Sequence, residues 1–129
     1  MRFLRFYDGI SIFSQLVSST CGGRSSSPTF LFSLVNNPGR GPITFKPPGE
    51  VYSYEYAVYS CSGYGPIFGY GHDICIVSEA SSNKDSYSRL GYTYSLASGY
   101  RHDTEFAKSF LAGSYQFQPD EVEVFYETT

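Results

Sequence analysis

The sequence holds no tryptophan, one methionine and three cysteines in 129 residues, and only 16% of it is charged. Each shortage closes a class of reading. Cys21, Cys61 and Cys75 form no close pair and are odd in number, which excludes a complete disulfide framework and fits free, partly buried thiols in a reducing compartment. A structural zinc site needs four ligands, usually including close cysteine pairs, whereas the two histidines, His72 and His102, stand 30 residues apart. No apolar run is long enough to cross a bilayer, because Asp8, serines and glycines interrupt every one. Nine Lys+Arg against twelve Asp+Glu give a net charge of −3. A general nucleic-acid binder needs a basic face to displace counterions from phosphates, so that class is set aside.

What the chain does hold is 41% hydrophobic residues, 13 tyrosines, 11 phenylalanines, 13 glycines and 7 prolines. This is the composition of short strands joined by many turns, and it predicts an all-β protein of one domain. Residues 18–28 (SSTCGGRSSSP) read as a flexible polar linker, so residues 1–28 are expected to join the body loosely. Arg2 and Arg5 before apolar residues imitate a signal peptide only faintly, since Asp8, Gly9 and Gln15 interrupt the apolar stretch and no clean cleavage site follows. A cytoplasmic location is expected.

The domain proper is expected over 29–129. Strands are predicted at 29–36, a buried run that a helical turn would also fit, and at 43–46 and 55–60. Further strands are predicted to begin at Ile67-Phe68 and to cover 72–77, 89–94 and 106–117, the last interrupted at Ala112-Gly113. Phe106, Phe110 and Leu111 fit a helical spacing, but Gly113 cuts it short. From Glu121 to Glu127 the alternation is the most regular in the chain, with Val122, Val124 and Tyr126 on one face. Strands recurring at this spacing predict two packed antiparallel sheets.

Candidate chemistry is thin. His72-Asp73 with Ser62 or Ser78 suggests a hydrolytic triad, but neighbours on a strand point to opposite faces and no nucleophile elbow is present. Glu79, Asn83 and Asp85 are oxygen donors that lack the order of a calcium loop; turn capping is the simpler role. The glycines at 63, 65, 69 and 71 lack the lysine of a phosphate loop and read as turn and bulge positions. Glu121, Glu123 and Glu127 project in parallel along a strand rather than converging as glycosidase carboxylates do. The tyrosines are suited to binding a partner or to stacking a sugar, although sheet packing explains most of them.

The stretches FLFSLVN (30–36), YAVY (56–59), YGPIFGYGHDICI (64–76), SYSRLGYTY (86–94), FLAGSYQF (110–117) and EVEVF (121–125) occur in the order and at about the spacing of the C-terminal part of a TLDc domain, which the chain resembles. The resemblance implies a two-layer antiparallel β-sandwich with few short helices. It also implies a non-enzymatic interaction domain without cofactor, serving oxidative-stress resistance through a protein partner such as a subunit of the vacuolar-type proton pump. The matching motif positions are Gly69, Gly71, His72, Asp73, Gly91, Gly113 and Glu123. The family's domain begins well before Phe30, and residues 1–20 do not match that front region, so a shortened copy or a fragment is expected. Tyr70 stands where the family more often has a small residue. The alternatives are a tyrosine-rich sandwich that binds a carbohydrate or other small ligand, and a degenerate inactive fragment.

Overall fold

The structure, a computed structural model, describes residues 2–6, 10–14, 22–24, 30–46, 57–60, 64–96 and 101–126. It is mainly β, with two antiparallel sheets. The first holds β1 (Arg2–Phe6), β2 (Ile10–Ser14), β4 (Phe30–Ser33), β5 (Ile43–Phe45) and β11 (Val122–Tyr126), in the order β11-β1-β2-β4-β5. The second holds β3 (Gly22–Arg24), β6 (Val58–Ser60), β7 (Tyr64–Phe68), β8 (Ile74–Val77), β9 (Ser86–Ser88) and β10 (Gln116–Phe117), in the order β10-β9-β8-β7-β6-β3. Residues 2–6 and 10–14, expected to attach loosely, lie as strands between β11 and β4, and part of the expected linker is β3, paired with β6. Cys21 and Cys61 lie outside the described residues.

Register in the second sheet explains its two faces. Val58, Phe68, Ile74 and Ser88 stand opposite one another in one row across β6 to β9. The three apolar members join Leu31 and Phe45 of the first sheet, with Phe110, in one buried core. The Phe45 and Phe110 rings meet edge to face at 5.5 Å, a favoured arrangement for buried aromatics. The adjacent row, Tyr59, Ile67, Cys75, Tyr87 and Gln116, faces the other way. Because strand side chains alternate, this row faces away from that core; Ile67 and Cys75 in it are buried, Tyr59 and Tyr87 are half-buried, and the candidate site is built at its edge.

Three sequence expectations need correction. Residues 72 and 73 are not strand: they close a turn from β7 to β8, in which His72 takes a left-handed φ of 55°. Residues 89–94 are not strand either; the strand is Ser86–Ser88, and the chain beyond it loops around a buried carboxylate. Residues 106–117 are not a single interrupted strand. Glu105–Ser109 is a short helix, α1, followed by a turn and the two-residue β10. Thr104 caps α1 by accepting the Ala107 N–H at 3.2 Å. Gly113, at φ 82°, ends the turn by donating to the Ser109 carbonyl. Apolar burial outweighed the glycine: Ala107, Phe110 and Leu111 are all buried. Among the described residues, no helix is long and apolar enough to cross a membrane.

Candidate functional site

The strongest local construction in the molecule surrounds Asp73. Its carboxylate is fully buried and accepts the backbone N–H groups of Gly91, Tyr92, Thr93 and Tyr94 at 3.0–3.2 Å. The Gly91 N–H is shared with the Tyr94 carbonyl, but the other three loop donors are satisfied by this one side chain, which lets that loop be buried without a strand partner. The Asp73 carbonyl takes a fifth bond, from the Arg89 N–H at 2.8 Å. Burial pushes the carboxyl up to about 6, while the four amide bonds pull it the other way.

Glycine is needed where the turn meets the loop. A Cβ on Gly69, already at φ 86°, would sit 2.0 Å from an Asp73 carboxylate oxygen. A Cβ on Gly71 would sit 2.4 Å from Cγ of Tyr92. The left-handed conformations fall on Gly69 and His72 rather than on Tyr70, so the side chain at 70 is tolerated: it stands 68% exposed, and its N–H donates to the Thr93 hydroxyl. The Tyr94 hydroxyl donates to the Ala57 carbonyl at 2.7 Å, tying the far end of the loop to the residue before β6.

Outside this clamp lies a chain of rings and cations. His72 Nδ1 and the Tyr87 hydroxyl are hydrogen-bonded at 2.9 Å, and the His72 ring lies 5.2 Å from that of Tyr59. Burial, and then the Arg89 charge, hold the His72 imidazole below its usual range. Tyr87 is raised to about 12, mainly by burial and by its contact with the Cys75 thiol, itself raised by burial. Arg89 donates through Nε to the Gly71 carbonyl at 2.8 Å, and its guanidinium carbon lies 5.7 Å from the Tyr87 ring and 5.3 Å from the Tyr92 ring. Tyr92 stacks on His102 at 4.3 Å and donates its hydroxyl to Asp103. On the other flank, Tyr115 lies 5.4 Å from Tyr87 and beneath the Lys108 ammonium at 5.5 Å.

Five of the seven motif positions, Gly69, Gly71, His72, Asp73 and Gly91, thus meet in one place. Gly113 lies apart at the end of the α1 turn near Asn37, and Glu123 lies in β11 of the other sheet, opposite Arg5 in the register. Asp73 does not meet His72, since its oxygens are taken by amides and the imidazole is taken by Tyr87. In the 78–88 loop, Asn83 accepts the Asp85 N–H and donates to the Ser78 and Glu79 carbonyls, a turn-capping role. Among the described residues, no three His, Cys, Asp or Glu side chains gather in a way that would hold a metal.

The chain matches no family model, no curated protein and no solved structure. The functional reading therefore rests on the motif order and on this geometry. Sequence reasoning missed Arg89 and Thr93 as site residues. The one available signal was Gly91 in the middle of an apparent strand, which marks a break in the ladder.

Proposed function

We propose that the chain is a non-enzymatic interaction domain of the TLDc kind, docking a protein partner through the face formed by Tyr59, His72, Tyr87, Arg89, Tyr92 and Tyr115. The observation that carries this reading is the commitment of Asp73. The most chemically capable group of the turn is spent on four backbone amides, so it fixes the shape of a surface loop and is withdrawn from solvent. A general base must reach the proton that it removes, and this carboxylate reaches only amides. The rings outside it are held by mutual contacts and by Arg89, which is how a recognition surface gains rigid area at low entropic cost.

The motif resemblance supports a place in oxidative-stress resistance, in the cytoplasm, and makes subunits of the vacuolar-type proton pump the first partners to test. Immobilised chain should capture a purified pump subunit, with capture lost in an Arg89→Ala, Tyr92→Ala double variant that keeps its β-sheet circular dichroism. Glycan-array binding at micromolar strength without subunit capture would replace this reading with the carbohydrate one.

A further inference from the structure

We infer that Arg89 is a carboxylate reader, and that the partner presents an acidic segment to it. This deepens the docking reading above and rests on it. The guanidinium is prepared in three respects. Its Nε is anchored on the Gly71 carbonyl, two tyrosine rings flank it, and the side chain is only partly exposed. Among the described residues, no carboxylate lies within ion-pair distance of it or of Lys108. The two terminal amino groups of the fork thus meet no acceptor among the described residues, although a guanidinium is built to grip a planar carboxylate with two parallel bonds.

The surroundings share its sign. Lys108 sits over Tyr115, which touches Tyr87; His102 stacks on Tyr92. In a chain of net charge −3, this face gathers a histidine and two cations that no carboxylate among the described residues pairs. The face already attracts one carboxylate of its own. Asp103 accepts the Tyr92 hydroxyl, and that bond, then Lys108, His102 and Arg89, hold it below its usual range. A phosphate is the weaker candidate, because the nest of backbone amides that would cradle it is already filled by Asp73. Asp103 occupies the rim of the same surface, so it competes with an incoming acid.

The test uses a fluorescein-labelled Glu-Gly repeat peptide, its Gln-Gly counterpart and a phosphoserine counterpart, read by anisotropy against the full chain. The Glu peptide should bind and weaken with added salt, and the Gln peptide should not bind. Arg89→Lys keeps the charge but loses the fork, and should weaken binding about tenfold. Lys108→Ala, at the rim, should weaken it only about threefold. Asp103→Asn should tighten it, a change that a purely structural role for Arg89 does not predict. Equal binding of the Glu and Gln peptides, preference for the phosphoserine peptide, or an unchanged affinity in a folded Arg89→Lys variant overturns the inference. If Arg89→Lys does not fold, Asp103→Asn decides: tighter binding supports the inference and unchanged binding overturns it. Subunit capture that persists while the Glu peptide fails to bind leaves the docking reading standing without this inference. Arg89-dependent peptide binding without subunit capture does the reverse.

Discussion

Two aspartates hold the loop that follows β9, and they do so in opposite environments. Asp73 grips it from inside, through four backbone amides, with no exposed surface. Asp103 grips it from the solvent side, through the hydroxyl of Tyr92 alone, with its own side chain 53% exposed. Burial pushes the first carboxyl up, and the tyrosine bond holds the second down. The same functional group therefore serves as a structural nail at one position and as an adjustable surface acid at the other. The difference lies in the dielectric around each and in whether water can replace the lost bonds.

The largest expected effect is at the inner aspartate. Asp73→Ala leaves the N–H groups of Tyr92, Thr93 and Tyr94 without an acceptor. At roughly 1–3 kcal/mol for each buried donor, the loss should be about 4 kcal/mol, enough to abolish a cooperative melt in a marginal domain. Gly69→Ala attacks the same clamp from its other side, pushing a methyl into the carboxylate at a left-handed position, and should cost about 3 kcal/mol. Either variant melting within ~1 kcal/mol of the wild type would mean that the clamp is replaceable by water. Next comes pH. The folded carboxyl at about 6 lies above an unfolded aspartate near 3.8. Its contribution to stability is thus fully present below about pH 4 and is lost as pH rises through about 6, by at most about 3 kcal/mol. The measurement is the melting midpoint between pH 4 and 7.5 for the wild type and for Asp73→Asn, whose curve should lack that decline. Asp103 contributes in the opposite sense: its stabilisation is present above the unfolded value and lost as pH falls through the lowered folded one.

The contrast also explains what could be read in advance. The β class and two-sheet arrangement, and β4, β5, β6, β8 and β11 to within a few residues, follow from alternation and turn chemistry, because sheet faces impose a period of two on the sequence. The glycines at 69 and 71 marked the turn because no other residue fits beside Asp73 and Tyr92. The role of Asp73 stayed hidden, since its partners are backbone amides 18 to 21 residues away, and a backbone donor leaves no residue signature. Arg-Leu-Gly-Tyr-Thr-Tyr at 89–94 alternates as a strand does, but its N–H groups are drawn to one carboxylate instead of to a neighbouring strand. The helix at 105–109 was obscured for the opposite reason. Gly113 reads as a breaker inside the element, whereas the helix stops at Phe110 and Gly113 closes the turn that follows it.

A smaller effect, of reversed sign, sharpens the comparison between satisfied and unsatisfied burial. Ser88 lies in the core-facing row beside Ile74, and its buried hydroxyl has no hydrogen-bond partner among the described residues. Nothing is gained from that oxygen in the folded state, while water solvates it in the unfolded chain. Ser88→Ala should therefore raise stability by about 1 kcal/mol, and a lower melting midpoint would show that the hydroxyl is solvated after all.

The smallest expected change in stability is at the outer aspartate, and it separates the two aspartates most directly. Asp103→Asn removes the charge but leaves an amide oxygen able to accept from Tyr92, at a place where water is a ready substitute. The melting midpoint at pH 7 should stay where it is. The Tyr92 phenol should nevertheless change, because its elevation comes first from the bond to Asp103 and also from that residue's charge. With the charge gone, its titration should move down toward that of a free tyrosine, as followed by ring-carbon NMR shifts across the alkaline range. A variant that loses stability with the Tyr92 titration unmoved would place Asp103 among the structural aspartates, and the inside-outside distinction would fail. A variant that keeps its melt while the phenol shifts would leave Asp73 as the residue that shapes the loop and Asp103 as the residue that tunes its surface.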